Sequence, residues 1–392
     1  MKALVLDAEN RTANIIQNVD APEPNASEIL VEVKAIALNP IDPLYVAHPL
    51  ASSERTIGSD FAGIIAKLGP SVPSSSNLKI GDRVAGFLQG ACSVNERPGA
   101  FAEFLVVEWD LIWKIPEHVA TESAAGVSLV ALTAAQGMWF RLGLKAPFDY
   151  PQTMVFEEHP DWKNGRLKRD EEGTSSFFVY GASTSVGLHA AQMVRLSANT
   201  SGGKIRLFGA ASKAKWGLLR SRPYEYEHLV DYRDQDWPQQ VRKLSGGIGV
   251  NYVYDGISEG ESVERALSTL GANGKAAIVR SRAGGAWRAD NLPTEPVYGA
   301  VWEGLGEEIQ YQGFVVEKSP AARAFAVEFY KWLGEAVGTT LIPVPVRLMP
   351  GGLERVVEDG FTLLGTGAMG ARLSRTEEWM RPISAEKLVY TL

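Results

Sequence analysis

The run from 177 to 187, FFVYGASTSVG, holds the residues whose types and spacing speak most directly of chemistry. Phe177, Phe178, Val179 and Tyr180 suit a buried strand. Gly181, Ala182 and Gly187 make a small-residue turn, and LHAAQMVRLS continues with apolar positions at helical spacing. A strand, a tight turn and a helix start together offer backbone amides and the positive end of a helix dipole to a pyrophosphate. The ligand this arrangement predicts is a dinucleotide. Gly181 and Gly187 keep the outer spacing of a dinucleotide turn, while Ser183 or Ser185 stands where its middle glycine usually is. Gly181, Ser183, Thr184, Ser185 and Val186 are the cofactor-binding candidates of this turn, the three hydroxyls as donors to phosphate.

The end of the following strand bears on which dinucleotide. An acid there would hold the adenosine ribose 2'-hydroxyl and favour NAD, whereas KIRLFGAASKAKWGLLRSR supplies Ser212, Lys213, Lys215 and Arg220 and no acid. Cations and a hydroxyl suit a 2'-phosphate, so the expected cofactor is NADPH.

Metal and disulfide chemistry find little support. Cys92 is the only cysteine, which rules out an internal disulfide and a multi-cysteine zinc site. The five histidines, His48, His118, His159, His189 and His228, lack the paired spacing of metal ligands. Cys92, in GACSVNERPG, reads as an ordinary small residue rather than a nucleophile. The expected metal content is none. A net charge of -7 leaves no polyanion-binding footprint, so nucleic acid and anionic membrane surfaces are poor partners. The N-terminal MKALVLDAENRT has only a short apolar run, and the expected location is the cytoplasm.

These residues need a scaffold, and 392 residues exceed one ordinary core. From Met1 to about Trp113, short alternating strands with Gly and Pro between them suggest a β-rich, barrel-like unit. ESAAGVSLVALTAAQGMWFRLG predicts one long connecting helix. Residues 147–175, rich in charge, Pro and Gly without a period, read as an inserted loop. Strand-like and helix-like segments then alternate through FFVYG, KIRLFGA, HLVDY, VNYVYDG and KAAIVR, which predicts a parallel sheet covered by helices on both faces. A last strand, EKLVYTL, must pair with some sheet, and the first domain is its natural host. The expected organisation is a β-rich domain over 1–128, a dinucleotide-binding α/β domain over 129–340 with the insertion at 147–175, and a return to the first domain over 341–392.

NPID (39–42), GSDFAGIIAKLG (58–69), GDRVAGF (81–87), GAFAEFLVV (99–107), ALTAAQG (131–137), VYGASTSVG and EKLVYTL, in this order and spacing, resemble the zinc-free branch of the medium-chain dehydrogenase/reductase superfamily across nearly the whole chain. VYGAST, VDYR and PVRLMPGGLE are most similar to fungal trans-acting enoyl reductases, which serve polyketide synthases lacking their own reductase domain. The resemblance implies an α/β fold class: a GroES-like β-rich catalytic domain plus a doubly wound Rossmann cofactor domain. It adds Tyr232 of VDYR, near the adenine phosphate in NADPH-dependent relatives, and Lys387 of EKLVYTL to the cofactor-binding set.

The same resemblance implies three catalytic positions. Thr133 of ALTAAQG matches a threonine near the nicotinamide. NPTDWK in relatives carries a lysine two residues after its aspartate, and here Leu44 stands at that position with Tyr45 next to it. Tyr45 either substitutes for the amine or is an ordinary half-buried aromatic. Asn39 belongs to this mouth, where holding the loop before Pro40 is its expected role. The implied reaction is NADPH-dependent reduction of an α,β-unsaturated polyketide thioester carried by a partner polyketide synthase, with the enzyme a monomer. Two alternatives stand beside it: a free enone or quinone reductase, and a redox-silent relative that guides polyketide cyclisation.

Overall fold

The structure, a computed structural model, describes residues 1–151, 174–311, 313–365 and 375–392. It divides into two compact units, one of Met1–Leu129, Glu307–Lys318 and Tyr330–Leu392, the other of Val130–Gly306 and Ser319–Phe329. The span 129–340 therefore does not form one continuous unit, because 307–318 and 330–340 group with the first.

The first unit is built from β1 (Ala3–Asp7), β2 (Thr12–Ile16), β3 (Glu28–Ala37), β4 (Asp60–Leu68), β5 (Arg83–Phe87), β6 (Phe104–Glu108) and β7 (Ile112–Lys114). Along β3 buried and half-buried positions alternate until the last three residues, all buried, as expected of a strand with one covered face that runs into the core.

In the second unit β8 (Thr174–Tyr180), β9 (Lys204–Ala210), β10 (His228–Val230), β11 (Val250–Asp255), β12 (Leu270–Ile278) and β13 (Val297–Tyr298) form one sheet in the order β10-β9-β8-β11-β12-β13. Every pairing is parallel. β8 lies between two neighbours and is covered on both faces, which explains its continuous apolar run. Phe178 stacks on Trp237 at 5.5 Å and Phe177 on Tyr252 at 5.6 Å. Chain order reverses between β8 and β11. This is the topology of a Rossmann sheet, with its ligand crevice expected outside the carboxyl ends at that reversal.

The chain returns to the first unit through β14 (Ile309–Gln310) and β15 (Val315–Val316), an antiparallel pair, and then β16 (Val346–Leu348) and β17 (Lys387–Thr391). β17 lies between β16 and β3 in a seven-stranded sheet ordered β16-β17-β3-β4-β5-β7, with β6 on β3.

Two expectations change. The connecting helix is not one helix: Thr121–Ala125 ends at Gly126, a second helix runs over Ser128–Ala135, and Gln136–Arg141 continues as a π-helical turn. Gly126 caps the first piece, and the second is started afresh by the Asp60 side chain, which accepts from the Leu129 amide at 2.9 Å. A helix over Pro320–Ala336 was not among the expected elements. Its Phe325 and Phe329 pack with Phe148 at 5.7 and 6.2 Å, and Phe325 also meets Phe140 at 5.3 Å. Most of the insertion expected at 147–175 lies outside the described residues. Among the described residues, no helix is long and apolar enough to cross a membrane.

Candidate functional site

The dinucleotide turn follows β8 directly. Gly181 has φ +78°, a left-handed conformation that only glycine adopts without strain. A Cβ on Gly187 would lie 2.3 Å from the Gly181 carbonyl oxygen, so the first turn of the helix Ser185–Ser201 packs directly on the strand exit. Both glycines have a structural requirement behind them, and the middle position, occupied by serine, has none of this kind. Gly181, Ser183, Ser185 and Val186 are half-buried and reach the surface of this turn. Thr184 has a different task from the one expected. Its hydroxyl donates to the Gly181 carbonyl at 2.8 Å and accepts from the Gly187 amide at 3.0 Å. It is the helix N-cap, and its proton is already used inside the turn.

The cofactor-class residues converge at the carboxyl edge of β9 and β10. The parallel register ends at Val230↔Ala210, and Ser212 and Tyr232 each follow two residues beyond the ends of these strands. Ser212 precedes a single 3-10 turn over Lys213–Lys215, and Tyr232 is 42% exposed. No acid stands at the end of β9. The neighbouring Asp231 is buried, with Oδ2 accepting from the Lys213 amide at 3.2 Å and Oδ1 from the Arg233 amide at 3.1 Å.

At the other side of the reversal, Asp255 ends β11 and is fully buried. It accepts from the amides of Ile257 and Ser258, both at 2.8 Å, and from the Ser262 hydroxyl at 2.6 Å. Burial pushes its carboxyl up to about 6 against the pull of these bonds. A small hollow lies nearby, lined by Thr133, Gln136, Gly137, Tyr254, Ala277, Ile278 and Val279 among others. Thr133 thus faces a cavity at the carboxyl end of β12, and its carbonyl accepts from the Tyr254 hydroxyl at 3.3 Å. The π-helical turn brings Gln136 and Gly137 to the same wall. Beside it, Arg141 and Glu303 form a buried ion pair.

In the first unit the chemistry is a buried polar cluster of Asn39, Asp42, Ser59, Asp60 and Lys387, each at most 4% exposed. Asp60 is its hub. Its Oδ2 accepts from Lys387 and, at 2.9 Å, from Asn39 Nδ2, while Oδ1 holds the Leu129 amide. Lys387 Nζ also donates to Asn39 Oδ1 at 3.0 Å. Lys387, expected on the cofactor, is 4% exposed and gives two of its three ammonium donors to an internal carboxylate and an amide oxygen. Asn39 is fully engaged, which ties the NPID loop to β4 and β17. Asp42 accepts from the Asn39 amide at 2.7 Å and the Ser59 hydroxyl at 2.9 Å, and burial pushes its carboxyl up to about 7. Burial also raises the Cys92 thiol, with the Asp42 charge adding to it, the opposite of what an activated thiolate needs. Leu44 and Tyr45 are half-buried on the helix Ile41–Ala47 that follows.

The expected residues fall into two groups, Asn39, Tyr45 and Lys387 in the first unit and Thr133 with the other cofactor candidates in the second. The carboxylates Asp42, Asp60, Asp231 and Asp255 were not among the expected residues. The only sequence signal for them was an acid set in an apolar run, as in GSDFAGII and VNYVYDG.

Residues 25–117 match the family model of the alcohol dehydrogenase GroES-like domain. The chain is 30% identical over 273 residues to a trans-enoyl reductase of Alternaria alternata, 70% of each chain being covered. It is 27% identical over 374 residues to a trans-enoyl reductase of Penicillium crustosum, covering 94% of this chain and 95% of that protein. A mycobacterial protein solved in complex with NADPH shares the fold, with a TM-score of 0.67 at 20% identity and 100% of both chains covered. Taken with the order of the parallel sheet and the glycine turn at its exit, these matches place the chain in the trans-enoyl reductase family, oxidoreductases of the medium-chain dehydrogenase/reductase superfamily.

Proposed function

We propose that the protein is an NADPH-dependent enoyl reductase acting in trans on an α,β-unsaturated polyketide thioester carried by a partner synthase. The observation that carries the cofactor choice is the edge of β9 and β10. Ser212, Lys213 and Lys215 follow β9 and Tyr232 follows β10, and Asp231 at the end of β10 is buried and turned to backbone amides. The turn fits a pyrophosphate because it leads from β8 straight into the N-terminus of the helix Ser185–Ser201, and the mycobacterial fold neighbour was solved with NADPH. NADPH, when bound, supplies the hydride for the β-carbon of the enoyl group.

The chain's own residues bind and orient. Half-buried Ser183 and Ser185 join the helix amides at the pyrophosphate. Thr133 lies at the carboxyl end of β12, the edge at which such a sheet takes its ligand, and its hydroxyl is the donor assigned to the thioester oxygen, where charge builds in the transition state. Ala277, Ile278 and Val279 give that end an apolar wall. With leucine at position 44, the segment after NPID carries no side-chain amine, and the proton for the α-carbon comes from solvent.

The test is a fluorescence titration with NADPH followed by NADPH consumption with a crotonyl thioester, first on pantetheine and then on a carrier protein. Binding with turnover is the expected result. Tight binding without consumption overturns the reductase reading. It would favour the redox-silent reading that Leu44 makes specific, in which case Leu44→Lys is the variant that restores turnover. Full activity on simple free enones with no gain from the carrier would favour the enone reductase instead.

A further inference from the structure

We propose that Asp231 is a positioning residue that builds a phosphomonoester site at the edge of β9 and β10, and that Arg233 is a cation of that site; this rests on the NADPH reading above. Asp231 is 5% exposed, and its carboxylate is shared between two segments that no backbone ladder joins beyond β10. Oδ2 takes the Lys213 amide and Oδ1 the Arg233 amide, so one side chain clamps the exit of β9 to the exit of β10. A further backbone bond, Ala211 amide to Val230 carbonyl at 3.0 Å, closes the seam just before it.

The clamp sets Ser212, Lys213 and Lys215 on one side and Tyr232 and Arg233 on the other. The Arg233 guanidinium lies over the Tyr232 ring at 5.3 Å, with Nη1 3.9 Å from Asp231 Oδ2. The Arg233 guanidinium thus sits near an aromatic face, while its side chain stays 65% exposed and open to a ligand. An acid beside a ribose site ordinarily accepts a 2'-hydroxyl. Here both carboxylate oxygens are taken by backbone amides, and the same acid serves the opposite specificity by ordering donors around a dianion. The sequence VDYR shows an acid at this edge, and only the bonds show that it faces inward.

The test compares binding of NADPH, NADH, 2',5'-ADP and 5'-ADP to the full chain by titration. Wild type should prefer NADPH over NADH and 2',5'-ADP over 5'-ADP. Asp231→Asn presents a donor to one of the two amides, so NADPH and 2',5'-ADP should bind roughly tenfold more weakly while NADH and 5'-ADP stay within about twofold. Arg233→Gln changes an exposed side chain without touching the fold, and it should cost NADPH and 2',5'-ADP about three- to tenfold with the same selectivity. That variant decides the matter if Asp231→Asn fails to fold. Equal losses for phosphorylated and unphosphorylated ligands, or no loss in either variant, overturn the proposal while leaving NADPH use intact. A wild type without preference for NADPH overturns the cofactor reading and this inference with it.

Discussion

At the scale of single residues, the carboxylates decide most. Asp60 and Lys387 are buried together, and removing one charge leaves the other without a partner in a dry setting. Lys387→Met should therefore destabilise the protein by about 3–5 kcal/mol in urea unfolding. The double variant Asp60→Asn with Lys387→Met should recover a large part of that loss, and a double variant no better than the single would refute the pairing. Asp42 and Asp255 have a signature in pH. Burial raises both from 3.8 in the unfolded chain, to about 7 and about 6. The folded state thus holds these protons more tightly than the unfolded state. Stability from this source is complete below about pH 4 and is lost as pH rises to about 7. Urea midpoints at pH 5 and pH 8 should differ less in Asp42→Asn than in wild type, and an unchanged difference would show that Asp42 does not titrate in this range. The Cys92 reading needed no geometry, since an isolated cysteine between Gly90 and Val94 had no base nearby in sequence. The internal bonds of Lys387 could not be read from sequence because its partners, Asn39 and Asp60, lie more than 300 positions away along the chain.

At the scale of elements, the turn after β8 shows how local sequence and long-range packing divide the work. Strand, turn and helix start were legible in FFVYGASTSVG because their signals are contiguous: apolar run, glycine, hydroxyl cap, helical period. Thr184→Ala removes the cap and should cost about 1 kcal/mol in unfolding free energy. Gly187→Ala pushes a methyl group into the Gly181 carbonyl, and should cost about 1–3 kcal/mol and weaken dinucleotide binding together. Cofactor affinity retained in Gly187→Ala would show that the turn tolerates the displacement. The connecting helix was misread for the complementary reason. ESAAGVSLVALTAAQGMWFRLG has an uninterrupted helical pattern, and its break rests on Gly126 with a carboxylate arriving from β4. The helix Pro320–Ala336 hid in a stretch whose apolar face became meaningful only with Phe140 and Phe148 beside it.

At the scale of the whole molecule, a ligand that binds only the folded chain must stabilise it. NADPH at one hundred times its dissociation constant should add about 2.7 kcal/mol, visible as a rise in melting temperature, and NADH at the same concentration should add clearly less. An equal rise with both would argue against a 2'-phosphate site at the edge of β9 and β10.

Sequence alone determined the β-rich beginning, the alternating α/β segments, the dinucleotide turn and the family resemblance. Each is written in contiguous residues or in the order of short motifs, and needs no distant partner to be read. Tertiary structure decided the strand order with its reversal between β8 and β11, the regrouping of 307–318 and 330–340, and the inward turn of Asp231. It also decided that Thr184 caps a helix and that Lys387 neutralises Asp60. A polar side chain goes where its charge or hydrogen bonds are satisfied, and in this protein those partners come from strands brought together only by folding.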